Sequence, residues 1–513
     1  MLQFEVYQDG RLADSVDLDG AVAFGQDAIP LRAELAAEGG VISCVKRVPG
    51  ACGLSLLWNA GPSGRFMLST TRLPERRKPY NLNLELARGQ LCKLAQKRED
   101  WGLFDFPDAG DLGEEFHEVR DMFVRALQAE DDPPRQAKLA EACLAKGVTL
   151  GEKMSLFHAE VLLSRRKASN VNAWRPAFGC TVDLLSTGED YTARLRDVFD
   201  FITVPMAWKS VEPKEHTYQF SQLDTWINWA ARNKRRIHAG PLLSFEPTAL
   251  PEWLYIWEHD YDTVRDLIYE HIQRVVKRYS RQVNVWNVCS GIHAHNSFSL
   301  SFEQLMELTR MTCLLVKKIA PHAKVIIDLT YPWGEYYARN QRTIPPMLYA
   351  DMAVQSGIKF DGFGVQVYMG VPVDGLFVRD LLQLSSLLDE FAGLGKGVHV
   401  TGCEVPSDMS ADAWDFWSGK EATVEAGQWH APWSPRLQAE WLQAFCRVCI
   451  SKPYVESICW RDLADYEGHY VPHGGLCQNN LTPKLAYKEL RNFKAYLTSG
   501  RFAEGKAPPP PTQ

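Results

Sequence analysis

The period of hydrophobic and polar positions changes along this chain, and each change marks a different kind of structure. Residues 1–105 alternate with a period of two in short runs, as at Phe4 and Val6, and Asp9-Gly10 is a favourable hairpin turn. The run 82–86 continues this alternation through three leucines. The pattern predicts a small β-sandwich over residues 1–105.

Residues 106–170 have the period of a helix. Apolar residues recur three or four positions apart from Phe116 to Leu127, and again from Leu139 after the break at Asp132-Pro133-Pro134. We expect a helical linker bounded by proline, which joins the first domain to a second one.

From Pro176 onward a strand-then-helix pattern repeats. Short apolar, β-branched runs predict eight buried strands at Ala177–Val182, Phe201–Val204, Arg236–Leu243, Val283–Cys289, Lys324–Leu329, Phe360–Gln366, Val398–Cys403 and Val455–Trp460. Eight such units predict an α/β fold, a (β/α)8 TIM barrel over residues 171–500. A doubly wound open sheet is the alternative, but no glycine-rich phosphate loop follows any strand. The Pro-rich segment 501–513 is expected to be a disordered tail.

Composition excludes several classes of partner. The chain is 46% hydrophobic and 23% charged with a formal net charge of −7, so we expect no nucleic-acid partner. No apolar run approaches the roughly 18 residues of a membrane span, so we expect no membrane partner. The amino terminus has no signal-peptide pattern, and twelve cysteines lack a paired spacing. These features predict reduced thiols and a cytoplasmic location.

Polar residues collect where two predicted barrel strands end, which is where TIM-barrel enzymes hold their chemistry. Ser290, Gly291, His293 and His295 follow the fourth strand, and Glu404 follows the seventh. We therefore expect a site at these two strand ends.

Several barrel motifs resemble glycoside hydrolase family 10, the xylanase family. They are FITVPMAWKSVEPKEHTYQF (201–220), ALPEWL (249–254), WNV (286–288), GFGVQ (362–366), VTGCE (400–404) and TPKLAY (482–487), in the order that the family has them. The resemblance implies a (β/α)8 barrel, a carbohydrate ligand and hydrolysis of a β-linked, xylan-like saccharide without a cofactor. It also implies that Lys209, Gln366 and Trp460 bind sugar.

The same motifs diverge at both catalytic positions of the family. They place Gly291 at the acid/base glutamate and Gly402 at the nucleophile, while Gly240 and Tyr368 fall at two family histidines. Retaining hydrolysis requires two carboxyl groups about 5–5.5 Å apart. The sequence therefore predicts either rearranged catalytic groups or a barrel without catalysis.

Glu404 is the first candidate for a rearranged catalytic group. It lies two residues beyond position 402 and so faces the same way along an extended strand. It could serve as nucleophile or general base with His293 or His295 as proton donor. Alternatively, Glu404 is an ion-pair partner at the barrel rim and the histidines order loops.

The predicted substrate-binding residues lie at several strand ends: Lys209, Gln366, Tyr368, Trp460, Asp462, Asp328, Trp333 and Asn287. Asp328 could instead cap a loop, and Trp333 could stack on a sugar ring or pack in the core. Cys289, His293 and His295 lack a standard zinc spacing, so no metal is expected.

Two hypotheses follow. The first is a glycoside hydrolase with rearranged catalytic residues, and the second is a non-catalytic carbohydrate-binding protein on the same scaffold. The amino-terminal β-sandwich could be a carbohydrate-binding module or a structural scaffold.

Overall fold

The computed structural model describes residues 1–106, 109–168 and 177–498. Its strands are β1 (Leu2–Glu5), β2 (Tyr7–Gln8), β3 (Arg11–Leu12), β4 (Val22–Phe24), β5 (Pro30–Leu31), β6 (Ala33–Glu38), β7 (Val41–Lys46), β8 (Gly53–Asn59), β9 (Gly64–Ser69), β10 (Tyr80–Asn81), β11 (Ala177–Thr181), β12 (Phe201–Val204), β13 (Arg236–Ala239), β14 (Val285–Ser290), β15 (Lys324–Leu329), β16 (Gly362–Tyr368), β17 (Gly397–Glu404), β18 (Gln428–Trp429) and β19 (Val455–Asp462).

Its α-helices are α1 (Leu82–Asp100), α2 (Gly110–Gln128), α3 (Pro133–Ala168), α4 (Glu189–Val198), α5 (Trp208–Val211), α6 (Ser221–Arg232), α7 (Tyr261–Tyr279), α8 (Phe302–Ile319), α9 (Tyr336–Arg339), α10 (Pro346–Gln355), α11 (Leu381–Ala392), α12 (Pro435–Ser451) and α13 (Leu485–Thr498).

Eight parallel strands close into a barrel in the order β11-β12-β13-β14-β15-β16-β17-β19, which confirms the predicted TIM barrel. Pairing of β11 with β19 completes the circle. The predicted strands at β12 and β15 match the structure to the residue. β13 ends earlier than predicted, at Ala239, because Pro241 has no N–H to donate, and pairing to the β14 strand resumes at Leu243 and Cys289.

The amino-terminal region holds the helices α1–α3 and two main sheets, one of which takes its edge strand β18 from the barrel region. One sheet has the order β10-β1-β7-β6 and the other β18-β9-β8-β4-β5. Buried side chains from both sheets, including Phe4, Ile42, Leu54 and Phe66, belong to one hydrophobic cluster. The predicted hairpin at Asp9-Gly10 joins β2 to β3, and both turn residues have positive φ.

The run at 82–86 is a helix rather than the predicted strand. Asn81 caps α1 by accepting a hydrogen bond from the backbone N–H of Leu84. Residues 82–87 are all buried, including the polar Asn83 and Glu85. The alternation of apolar and polar residues here therefore does not correspond to one buried and one exposed face of a strand. The β-region therefore ends at Asn81, and α1 occupies residues that the sequence assigned to the sandwich.

α2 and α3 lie in the segment for which helical structure was predicted, and α3 begins at Pro133. A barrel segment also joins the amino-terminal region, because β18 pairs antiparallel with β9. Among the described residues, no helix is both long and apolar enough to cross a membrane. The predicted tail 501–513 lies outside the described residues.

Candidate functional site

A buried carboxylate lies at the carboxyl end of the barrel. Asp328, near the end of β15, is 1% exposed and accepts hydrogen bonds from Ser290 Oγ at 2.8 Å and Gln366 Nε2 at 2.7 Å. Thr401 Oγ1 donates to its other oxygen, and Asn287 also hydrogen-bonds to it. Burial raises the pKa of Asp328 above its ordinary value, although these hydrogen bonds oppose the shift. The predicted residues Asp328, Gln366 and Asn287 thus share one network, which also fixes their rotamers.

Glu404 ends β17 and is fully buried. Within the described part of the chain, neither of its carboxyl oxygens has a hydrogen-bond partner. Burial raises its pKa well above the ordinary value, and the nearby charge of Asp462 adds to the shift while Arg461 opposes it. Gly474 packs directly over the carboxyl group, since a Cβ on that glycine would lie 2.6 Å from Glu404 Cδ. Burial beneath the Gly474 backbone therefore favours the protonated form of Glu404, and no described residue forms the predicted rim ion pair with it.

Tyr368 fills the space beside Gly402. A Cβ built on Gly402 would lie 1.8 Å from the Tyr368 hydroxyl oxygen. Tyr368 is 5% exposed, and its ring packs against Tyr470 with centroids 5.0 Å apart. No side chain fits at position 402 while Tyr368 keeps this rotamer.

Position 291 is filled in a similar way. Gly291 has a φ of 63°, and a Cβ there would lie 2.6 Å from Thr330 Oγ1 and 3.3 Å from His295 Cδ2. A non-glycine residue at this position would meet both backbone strain and a steric clash. Both strand ends that the sequence motifs match to catalytic glutamates are therefore occupied by neighbouring side chains.

His293 lies in the core rather than at the barrel mouth. It is fully buried, its Nδ1 is 2.7 Å from the Tyr336 hydroxyl, and its ring packs against Tyr349. Burial lowers the pKa of His293 to about 3, so the ring is neutral near pH 7. This position does not support the predicted role of His293 as a proton donor.

His295 lies closer to the mouth and is partly exposed. Its ring meets Tyr331 edge-on with centroids 5.6 Å apart. Burial lowers its pKa, and the negative charge of Glu246 partly offsets that shift. Of the two predicted histidines, only His295 is placed to reach a ligand.

Trp460 and Asp462 lie on and at the end of β19, and both hold the segment that covers Glu404. Trp460 Nε1 donates to the carbonyl of Gly474 at 3.2 Å. Asp462 Oδ2 accepts from the backbone N–H of Tyr470 at 2.9 Å and lies 3.7 Å from Arg461 Nε. Both predicted residues therefore have structural partners beside the mouth.

Lys209 lies on α5 at the outer edge of the mouth. Its Nζ is 3.0 Å from Glu252 Oε1, and the two side chains are 47% and 88% exposed. Glu212, three residues further along the chain, does not compete for Lys209, because it accepts from Trp208 Nε1 at 2.8 Å and from the His216 backbone N–H. Lys209 thus remains accessible to a ligand.

Trp333 does not face the mouth. Its ring lies under the Arg379 guanidinium at 4.5 Å and lines a cavity between the barrel and the amino-terminal sheets. The prediction that Trp333 stacks on a sugar at the strand ends has no support from this placement.

Sequence reasoning missed an aromatic cluster at the mouth. Tyr331 and Tyr470 share a hydrogen bond of 3.1 Å between their hydroxyls, and Trp417 Nε1 donates to the Tyr470 carbonyl at 2.9 Å. Trp414 and Phe416, from the loop after β17, are 54% and 40% exposed. The composition of that loop was the available signal, because exposed aromatic residues beside a barrel mouth suit sugar rings.

A polar groove of about 380 Å³ lies next to Trp414 and includes Asp412, Asp465, His473 and Lys484 in its lining. Asp412 Oδ2 accepts from His469 Nε2 at 2.8 Å, and Lys484 Nζ pairs with Asp465 at 2.6 Å. Within the described residues, no group of three histidine, cysteine or acidic side chains is arranged to hold a metal.

Several known proteins are similar to this chain. The endo-1,4-beta-xylanase of Agaricus bisporus is 25% identical over 244 residues, covering 46% of this chain and 70% of that protein. The endo-1,4-beta-xylanase B of Thermotoga neapolitana is 21% identical over 326 residues, covering 60% of this chain and 84% of that protein. The native xylanase 10B from Thermotoga maritima has a TM-score of 0.47 and 18% identity, covering 63% of this chain and 96% of that structure. The sequence profile of Glycosyl hydrolase family 10 matches residues 171–493, more than half of the chain, which therefore belongs to this family.

Proposed function

We propose that this family member binds a β-linked, xylan-like saccharide at the carboxyl-end face of its barrel without the two-glutamate cleavage of the family. The carrying observation is the filling of positions 402 and 291. The motifs match both positions to catalytic glutamates, both are glycine, and Tyr368 and Thr330 occupy the space where side chains would begin. Retaining hydrolysis needs two carboxyl groups that touch the scissile bond from opposite sides.

The remaining carboxyl groups at the centre of the barrel are poorly placed for cleavage. Asp328 is saturated by hydrogen bonds from its neighbours, and Glu404 lies beneath Gly474. Neither is more than 1% exposed. In this arrangement neither Asp328 nor Glu404 is open to a glycosidic oxygen.

The ligand class rests on the relatives and on the groups around the mouth. Both curated relatives named above are endo-1,4-beta-xylanases. Lys209 offers an exposed ammonium group on one side of the mouth, and Trp414 offers an exposed aromatic face on the loop after β17. A neutral saccharide chain that crosses the mouth could form a hydrogen bond with Lys209 and stack on Trp414.

A second candidate function is hydrolysis that uses Glu404 as general acid. The favouring observation is that Glu404 has no hydrogen-bond partner among the described residues and a raised pKa. A carboxylic acid that stays protonated near neutral pH is what general acid catalysis requires. This candidate needs Gly474 to move away and a second titratable group, for which His295 is the predicted histidine that stays partly exposed.

A comparison of binding with cleavage separates the two candidates. Binding of xylohexaose is measured by calorimetry, and cleavage of xylohexaose and of an aryl β-xyloside by product analysis, for wild type, Glu404→Gln and the control Glu118→Gln on the exposed face of α2. Binding without cleavage in all three supports the main proposal. Cleavage lost only in Glu404→Gln establishes the second candidate, and cleavage that survives in Glu404→Gln contradicts both.

Two further assignments remain proposals. We propose a cytoplasmic location, which the twelve free cysteines of the structure support, because reduced thiols persist in reducing compartments. We also propose that residues 1–105 act chiefly as a scaffold for the barrel, since β18 from the barrel region completes one of their sheets.

A further inference from the structure

A cavity of about 610 Å³ lies between the amino-terminal sheets and the barrel, away from the strand ends described above. Phe24, Ser55 and Ser69 line it from the sheets, and Lys93 lines it from α1. Trp333 lies on the barrel side. Its volume falls in the range of small-molecule sites, which occur preferentially where domains meet.

The aromatic side of this cavity has a fixed geometry. The Arg379 guanidinium lies over the Trp333 ring at 4.5 Å, and it is held there by a buried ion pair with Glu335. Arg379 and Glu335 are 5% and 2% exposed, so this support is rigid. Trp333 itself is only partly buried and so keeps indole surface open to the cavity.

Two charged side chains of the lining, Lys93 and Glu390, face the cavity. Neither Lys93 nor Glu390 has a hydrogen bond or an ion pair with another described residue, although each senses the charge of the other. Lys93 is half-buried and Glu390 is exposed at the edge of the cavity, so the head group of each is open to a hydrogen-bonding ligand. One group donates and the other accepts when both are charged.

The charge of the lining selects among ligands. The lining contains three basic residues and five acidic ones, which disfavours an anion. Its apolar part includes Trp333, Phe24 and Met347. A neutral ring that presents hydroxyl groups on its edge and C–H groups on its face satisfies all of these surfaces, because a hydroxyl both donates and accepts.

We propose that this interdomain cavity is a second binding site, which takes a neutral pyranose with its face on Trp333 and its hydroxyls on Lys93 and Glu390. The site is independent of the mouth and of the function proposed for it.

Hydrogen exchange and affinity measurements test the proposal on the full chain, with methyl β-D-glucopyranoside as the probe. We expect the probe to slow amide exchange in peptides that cover Lys93 and Trp333. Trp333→Leu and Lys93→Gln should each raise the probe concentration needed for half-maximal protection by about fivefold or more. Trp414→Leu, at the mouth, and Lys138→Gln, on the exposed face of α3, are the matched controls and should leave it unchanged.

Several outcomes would overturn the proposal. They are an absence of protection at the cavity, equal protection in Trp333→Leu and wild type, or protection by sodium glucuronate or glucosamine but not by the neutral probe. Thermal unfolding of each variant confirms that it is folded, and Lys93→Gln keeps the test valid if Trp333→Leu is unstable. Xylohexaose binding at the mouth is measured in parallel. A loss of binding at the mouth can therefore be distinguished from a lack of pyranose binding in the cavity.

Discussion

The hydroxyl of Tyr368 occupies the space in which a side chain at residue 402 would begin, since a Cβ on Gly402 would lie 1.8 Å from it. We therefore expect Gly402→Ala to destabilise the protein by about 1–3 kcal/mol, because the tyrosine must leave a well-packed position. In a Tyr368→Phe background the same substitution should cost less, because the closest atom is gone. Urea denaturation of wild type, the two single variants and the double variant gives the coupling free energy between residues 402 and 368.

The control for this cycle is Gly188→Ala. Gly188 precedes α4 and has open space where a Cβ would lie, so we expect a change within about 0.5 kcal/mol. If Gly402→Ala costs the same in both backgrounds, Tyr368 does not fill position 402 in solution.

Stability should depend on pH through Glu404. Its pKa is raised by folding, so between the unfolded and folded values the native state binds more protons than the unfolded state. The contribution of this group is thus complete at low pH and is lost as pH rises through that interval, by about 1.4 kcal/mol per pH unit. Glu404→Gln removes this loss. The free energy of unfolding of the variant, relative to that of wild type, should therefore rise between pH 5 and pH 8 in urea denaturation.

Glu252→Gln is the matched control for Glu404→Gln, because the Glu252 side chain is 88% exposed. Its stability difference from wild type should stay flat across the same pH range. A flat difference for Glu404→Gln as well would show that Glu404 is ionised and solvated, as an open catalytic cleft would make it.

The acid limb of stability should depend on His293. Burial lowers its pKa from 6.5 to about 3, so below pH 6.5 the unfolded state binds the extra proton and stability falls as pH falls. This single group contributes a slope of about 1.4 kcal/mol per pH unit in that interval. His293→Gln should flatten the profile between pH 6.5 and 4.5, whereas His259→Gln, at a 93% exposed side chain, should not. A profile for His293→Gln parallel to that of wild type would place the ring in water.

The barrel could be predicted from sequence because strands buried on both faces are short, apolar and β-branched. The β12 and β15 strands therefore match to the residue. The same signal fails in α1. Asn83 and Glu85 are buried there, and Asn83 forms a buried hydrogen bond, so the first turns lack the exposed polar face that usually marks a helix. Period alone cannot distinguish a strand from a helix whose first turns are buried on every side.

The site was only partly predictable from the sequence. A strand pattern shows which side of the strand a residue faces, but not how deeply its side chain is buried. The spacing placed Glu404 on the face of position 402, yet it could not show that Gly474 would cover the carboxyl group. Asp328 and Gln366 were identified, but their mutual hydrogen bond depends on the register of the two neighbouring strands β15 and β16. Trp333 had two predicted roles, and the strand pattern could not choose between them, because the loop after β15 turns toward the amino-terminal sheets and places Trp333 beneath Arg379.

Glu152 on α3 should be the main polar attachment between the helical linker and the barrel. Its carboxylate accepts from Trp429 Nε1 at 2.7 Å and lies 2.6 Å from His430 Nε2, next to the β18 strand that extends an amino-terminal sheet. Glu152→Ala leaves the buried indole N–H without its acceptor, so we expect a loss of about 2–4 kcal/mol in guanidinium denaturation. Glu118→Gln breaks an exposed ion pair on α2 and should cost about 1 kcal/mol or less. Equal costs for the two substitutions would mean that the linker and the barrel are not joined through this carboxylate.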